Sequence, residues 1–467
     1  MKKIFSFSLI FILLLVSLTG CFKKEKTITS KKQKVELTYY KLFDDETDLL
    51  PIIRAFEKKY PYVKINYRKF TNVDEYEQLI INEMAEGEGP DIFEIHNTWL
   101  PRHIKKIYPV PEDRINVTQF KSTFLDVAAD DLIAYDETDK KEKVYALPLY
   151  IDTLALYYND EVYEEKVPSR GKPPLMWQEL LDDVFKIKVE DNSYERFQVS
   201  GIAMGRTDNI LRGVDILDLL FIQYNAPFYN KDFTKFTFAQ NTGVSEVGKI
   251  KNPSEEALNF FISFAQNNRK NYSWNKYMAG TSTPEKEIAA FAKGKVAMIA
   301  GYSYLYDDIM RQITALGNQG IKVINKEKVL TAPMPQVYKD QQKAYANYFA
   351  ETVSRTTKHP REAWGFLRFL VSKSSLTEYN KLTKRPSSRR DLIQDQKKDP
   401  IYGVFATQVG YARSIPKYSD KIYKQIMDKS VQSVVEGKTN VSDSLKLAEN
   451  EINKSIPKQG LYFFPPK

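Results

Sequence analysis

The residues of this chain best suited to chemistry are aromatic rings placed beside amides and carboxylates. Asn97 and Trp99 follow an apolar run at residues 91–96, Tyr150 and Asp152 follow "YALPLY", and Tyr302 and Tyr304 follow a run at 295–300. Flat rings can stack on the C–H faces of a saturated ring, and amides or acids can bridge its hydroxyls. Trp274 and Tyr277 stand in the loop-like "NNRKNYSWNKY" and suit a stacking platform or a contact with another protein equally well. Glu46 belongs to the acidic "DDETD" at 44–48, which fits a ligand contact or a helix N-terminus. Packing alternatives stay open too: Trp99 as a cap on the core beneath Leu100 and Pro101, and Tyr150 and Asp152 as structural contacts. Because aromatics make up 13% of the chain, no single ring is distinctive.

Catalytic patterns are weak by comparison. There is no His-Glu-x-x-His and no phosphate loop, and "GYSYL" at 301–305 lacks the closing glycine of a nucleophile elbow. His96 and His103 lie seven apart without a third ligand, so neither a metal nor any other cofactor is expected. The pairs Asp130-Asp131 and Asp182-Asp183 have the residue types a glycosidase needs, but in a chain with 60 acids such pairs usually mark solvated helix faces.

The candidates need a scaffold, and the hydrophobic pattern supplies one. Residues 35–43 are rich in β-branched and aromatic types, 47–59 place Leu49, Ile52, Ile53 and Phe56 at helical spacing, and Val63, Ile65 and Tyr67 alternate as in a strand. Tyr76, Leu79, Ile80 and Met84 repeat the helical period before a break at 87–90 and a further strand at 91–96. Strand, helix, strand, helix, strand predicts a parallel α/β sheet, in which ligands bind beyond the carboxyl ends of strands. The candidates at 97–99 and 302–304 occupy such positions. Asn252-Pro253-Ser254-Glu255 and Thr283-Pro284 carry helix-start chemistry, and His359-Pro360 precedes the amphipathic pattern Ala363, Phe366, Leu367, Leu370.

A hydrophobic fraction of 42% over 467 residues implies a large core, in two domains. The net charge of +9 draws partly on Lys23, Lys24, Lys26, Lys31, Lys32 and Lys34, a solvated stretch that can lean on anionic headgroups. Elsewhere acids and bases are interspersed, which argues against nucleic acid. Before those lysines, Lys2 and Lys3 and the apolar stretch 4–18 read as an export signal. Leu18-Thr19-Gly20-Cys21 resembles the lipobox of bacterial lipoproteins, which implies signal removal and a diacylated Cys21. The alternative is a small-residue cleavage site that contains a cysteine. As the sole cysteine, Cys21 leaves no partner for an internal disulfide.

Four stretches together resemble the extracellular solute-binding proteins of bacterial ABC importers, in the branch of maltose- and other sugar-binding lipoproteins. They are "GEGPDIFEIHNTWLPRH" (87–103), "YALPLYIDTLALYYNDEVYEE" (145–165), "AAFAKGKVAMIAGYSYL" (289–305) and "VSRTTKHPREAWGFLRFLVS" (353–372). The resemblance implies a two-lobed periplasmic-binding-protein-like (type II) α/β fold with crossover hinge strands. Its expected parts are a signal at 1–20, a tether at 21–34, a first lobe at 35–147 and 339–395, and a second lobe at 148–338 and 396–467. By resemblance, ligand contacts are expected at Asn97, Trp99, Tyr150, Asp152, Tyr302 and Tyr304. The family's cleft-proximal loop falls at Arg385, Arg389 and Arg390, where Arg389 would suit an anionic sugar. At 346–355 the family usually has a glycine-rich strand bearing a tryptophan, whereas Asn347, Tyr348 and Phe349 stand here. The implied function is capture of a carbohydrate and its delivery to ABC permease subunits by a monomer, membrane-anchored on the extracytoplasmic side and without catalysis. A surface glycan-processing enzyme and a ligand sensor docking a signalling receptor are the other classes left open.

Overall fold

The computed structural model describes residues 33–190, 197–244, 250–278 and 286–457. Cys21, the apolar run before it, most of the lysine-rich stretch and the helix start expected at Thr283-Pro284 lie outside the described residues.

Strand Val35–Leu42 buries Val35, Leu37 and Tyr39 and pairs in parallel with both Val63–Phe70 and Ile92–His96. The two connections are helices of matching amphipathicity. Glu46–Lys59 buries Leu49, Ile52, Ile53 and Phe56, and Val73–Glu86 buries Tyr76, Ile80 and Met84. Asn72 caps the second of these by accepting the Asp74 and Glu75 N–H groups, and Gly87 ends it with φ 82°. Strand Phe349–Ser354 then adds antiparallel to Ile92–His96, far from it in sequence, and carries Ile107–Tyr108 and Leu147–Pro148 on its other edge.

A second sheet runs in the order Val189–Glu190, Phe197–Ile202, Val296–Gly301, Ala155–Asn159, Val329–Pro333. Helix Gly213–Gln223 is buried on every face among its neighbours. Each sheet has its own core: one joins segments between 35 and 151 with segments between 344 and 412, the other spans 154–345 and continues through 415–452. Between them lies a three-stranded sheet of Asp152–Thr153, Ala344–Asn347 and Ala412–Arg413, so the chain crosses three times. Residues 396–412, expected in the second lobe, pack at the seam: Ala406, Val409 and Ala412 join the first core while Phe405 joins the second. Among the described residues no helix is long and apolar enough to cross a membrane.

The first sheet holds a charge cluster at its centre. Lys41 is fully buried, with its ammonium bound to Glu94, to Glu351 at 2.7 Å and to Asp44 at 3.3 Å. Glu94 and Glu351 are directly opposed on neighbouring strands, so one lysine ties three strands together. Burial and then the proximity of Glu94 push Glu351 well above the usual carboxylate range, which keeps a proton in the pair. Lys41→Met would strand these carboxylates without a cation. An expected loss of about 3–5 kcal/mol follows, measured by urea unfolding, with partial recovery in Lys41→Met/Glu94→Gln. An unchanged unfolding midpoint in the single variant would contradict this.

Candidate ligand-binding cleft

The carboxyl ends of the first-lobe strands face second-lobe loops across a cleft of about 780 Å³, within the range of small-molecule sites. On the first lobe, Val35–Leu42 ends at Phe43, whose positive φ of 69° turns a ring that is 41% exposed toward the opening. Phe349 is the centre of an aromatic group on this wall. Its ring lies 5.9 Å from Phe43, 5.1 Å from His96 and 5.8 Å from Trp99, the last at an interplanar angle of 89°. His96 accepts from the Thr98 hydroxyl at Nδ1 (2.7 Å) and donates from Nε2 to Asn347 Oδ1 (3.2 Å). Burial pushes its pKa down to about 4, so it stands there as a neutral imidazole.

Tyr302 and Tyr304 form the facing wall, stacked at 6.2 Å and 30°. The Arg212 guanidinium lies over both rings at 5.2 and 5.6 Å, and its Nε donates to Tyr304 Oη at 2.9 Å. Tyr302 is held by donating its hydroxyl to Asp215 at 3.0 Å. Tyr150, at the seam, carries the Arg385 guanidinium 4.3 Å above its ring, and Arg385 pairs with Asp44 at 2.6 Å. The charge cluster around Lys41 thereby reaches the cleft.

Asp152 opens the hinge sheet and is buried. It accepts the Ser303 N–H at 3.0 Å, the Ser303 hydroxyl at 2.5 Å and the Thr153 N–H at 2.9 Å, which anchors the loop that bears Tyr302 and Tyr304. Burial pushes its pKa up to about 6 against these donors.

Among the described residues, all five cations lining the cleft are matched by carboxylates. Arg212 meets Asp215 at 3.6 Å, Arg311 meets Asp308, Arg385 meets Asp44, and Lys424 meets Asp420 at 3.0 Å. Lys421, on the second-lobe helix Asp420–Val435, reaches across to Asp74 on the first lobe at 2.7 Å. Against the cost of burial, Lys424 and Lys417 hold Asp420 far below the usual carboxylate range.

Of the residues singled out from the sequence, Trp99, Tyr150, Asp152, Tyr302 and Tyr304 are brought together along the cleft. Five others lie elsewhere. Asn97 is buried behind the wall, donating to Asp131 at 3.1 Å and, through its backbone N–H, to Tyr348 O at 3.0 Å. Trp274 is fully buried in the second core, its Nε1 bound to Asn209 at 2.9 Å, because the loop-like stretch docks on Phe264 O through the N–H groups of Ser273 and Trp274. Tyr277 in the same stretch is exposed. Glu46 is an exposed first-turn acid of its helix. Arg389 pairs with Asp391 at 2.9 Å and donates to Val371 O, so it is the neighbouring Arg385 that enters the cleft. Phe43, Arg212, Lys421 and Lys424 line the site with little sequence signal. Asn347 and Phe349, in the stretch 346–355 that departs from the family pattern, also face the opening.

Two α/β lobes, three crossing strands and a cleft walled by aromatic rings define a protein built to hold a small solute between its halves. The chain matches the family of bacterial extracellular solute-binding proteins over residues 52–403, most of its length, and belongs to that family. It is 24% identical over 390 residues to the multiple sugar-binding protein of Streptococcus mutans, spanning 82% of this chain and 81% of that protein. Its fold is similar to a cyclo/maltodextrin-binding protein complexed with maltotetraose (TM-score 0.67, 18% identity, 91% of this chain and 98% of that one). It is likewise similar to the sugar-binding protein MalE of Xanthomonas citri (TM-score 0.69, 15% identity, 90% and 96%).

The raised pKa of Asp152 carries a pH signature. Its protonated form is favoured by folding, so that contribution to stability is complete below the ordinary value of 3.8 and is lost as pH rises through about 6. Relative to the parent, Asp152→Asn is expected to gain about 2.5 kcal/mol in unfolding free energy between pH 4 and pH 7. Asp131, pushed by burial up to about 7, acts in the same direction and cancels in the comparison. Denaturant titrations of both proteins across that range check it, and a pH-independent difference would count against it.

Proposed function

We propose that this chain captures a neutral oligosaccharide in the interlobe cleft and hands it to the permease of an ABC importer. One observation carries the choice of ligand: two aromatic walls face each other while, among the described residues, each cation of the cleft is already paired with a carboxylate. Such a surface offers stacking faces and neutralised polar edges, and an anionic ligand would have to displace an existing ion pair. The multiple sugar-binding protein of Streptococcus mutans and the cyclo/maltodextrin-binding protein complexed with maltotetraose point to the same ligand class. Trp99, Phe349, Tyr302 and Tyr304 are the stacking residues in this reading, with Asn347, Arg212 and Arg385 at the polar edges. The protein acts extracytoplasmically as a monomer, held at the membrane by a diacylated Cys21, and binding takes the place of catalysis.

Thermal unfolding of the protein with maltotetraose, glucuronate and glycerol 3-phosphate tests the ligand. Stabilisation by about 2.7 kcal/mol is expected at a hundredfold excess over the dissociation constant of a neutral oligosaccharide. Tyr302→Ala should weaken that binding about tenfold or more, near 1.4 kcal/mol. A response confined to the anionic compounds would overturn the reading. The anchor has a separate check: Cys21→Ala should abolish the acylated form and accumulate an uncleaved precursor, seen by intact mass, and normal acylation of that variant would refute it.

A further inference from the structure

The first lobe has a second recess, of about 690 Å³, away from the cleft. Lys59, Arg114, Arg361 and Arg368 line it, and among the described residues none of these four has a carboxylate within 4.0 Å, unlike the cations of the cleft. Among the described residues, Glu362 is the one acid in the lining. Arg114 holds its Nε out of solvent without a hydrogen-bond partner. Arg361 and Arg368 are seven apart on helix Pro360–Leu370, hence on one face, with Gly365 between them. A glycine inside a helix costs about 1 kcal/mol relative to alanine, and here nothing lies within 4 Å of where a Cβ would sit. Packing does not demand this glycine; its missing side chain leaves the floor of the recess open. Lys59 sets its ammonium 5.6 Å from the Tyr60 ring and 5.8 Å from the Phe369 ring, so the walls are aromatic as well as cationic.

Position indicates the occupant. Tyr62 and Val63 line the recess, and the Val35 N–H donates to Tyr62 O at 2.8 Å where Val35 and Val63 pair. The N-terminal segment with its six lysines therefore enters the fold at the rim. The recess lies at the amino ends of the parallel strands, whereas Phe43 and the cleft lie at their carboxyl ends, a strand length of roughly 25 Å away. From Cys21 to Val35 the chain spans at most about 50 Å, which keeps the recess within reach of any surface that holds Cys21.

We propose that this recess binds the phosphate of an anionic membrane lipid headgroup and seats the first lobe on the bilayer with the ligand cleft turned away. The proposal rests on the reading of Cys21 as a lipid anchor. Guanidinium groups suit the phosphate oxygens, the rings suit the interfacial zone, and the lysines of the tether add attraction to the same surface.

The test is hydrogen exchange on the purified mature protein bound to vesicles of phosphatidylcholine alone or with about one third phosphatidylglycerol. Exchange over residues 360–372 is expected to slow about fivefold on the anionic vesicles, and the protection should vanish at ~0.5 M salt. Arg361→Glu/Arg368→Glu and the cavity-filling Gly365→Leu should each abolish it while leaving affinity for the cleft ligand unchanged. Equal exchange on both vesicles overturns the proposal, and so does protection on phosphatidylcholine by inorganic phosphate alone, which would mark a soluble anion instead. Intact mass reads the anchor independently: a protein found without acyl chains still supports the recess if it sediments with anionic vesicles and Arg361→Glu/Arg368→Glu abolishes that, and counts against it if it sediments with neither or if the variant sediments equally.

Discussion

The ammonium of Lys41 is the contact on which the first lobe and its side of the cleft depend. It sits between Glu94 and Glu351 on adjoining strands and Asp44 beyond its own strand, in a region water does not reach. Buried charges of this kind add little net stability compared with apolar packing, but breaking one is costly, so the cluster specifies which strands sit side by side. Strand Phe349–Ser354 comes from more than 250 residues further along the chain than Ile92–His96, and the opposed Glu94 and Glu351 fix its register. Asp44 passes the arrangement on to Arg385, and Arg385 to the Tyr150 ring. A core of charges thus orients a wall of the binding site.

The seam between the lobes is organised by the same means. Asp131 accepts from Asn97, from the Tyr348 hydroxyl at 2.7 Å and from Ser414, so one carboxyl joins the end of a first-lobe strand to two of the crossing segments. On the other side Lys417 pairs with Asp218 at 2.8 Å and donates to the Tyr345 hydroxyl at 3.1 Å. Asp152 joins the third crossing to the loop of the tyrosine wall. Each crossing strand contributes only two to four residues to the ladder, and side-chain hydrogen bonds supply the definition that so short a sheet lacks.

Periodicity made the sheet-forming segments legible, because a buried strand or an amphipathic helix repeats its signal over many residues. Val35–Leu42, Glu46–Lys59 and Val73–Glu86 are close to where the pattern places them. Strand ends pointed to Trp99, Tyr302 and Tyr304, which line the cleft, since a parallel sheet leaves its carboxyl ends open. The pattern carries less where a side chain's surroundings come from distant segments. Trp274 looks like a loop residue until Phe264 O draws its backbone inward, and Asn97 differs from Trp99 only in the direction its side chain leaves the turn. Arg212 precedes a helix that is buried on every face, and nothing local separates it from a solvated arginine. Arg385 and Arg389 are four apart in one loop, and only Asp44 on one side and Asp391 on the other sort them.

The bridge between Lys421 and Asp74 is a direct charge contact across the cleft's opening, and both side chains are about half exposed. Contacts of that kind are worth no more than about 1 kcal/mol and are screened by salt within a Debye length of about 8 Å. A fastening so slight changes the balance between open and shut by less than about tenfold. Under the proposed function, shape can then report cargo: the decision to stay shut passes to whatever fills the space between the rings, and a permease that reads the outer contour is spared docking with empty carriers.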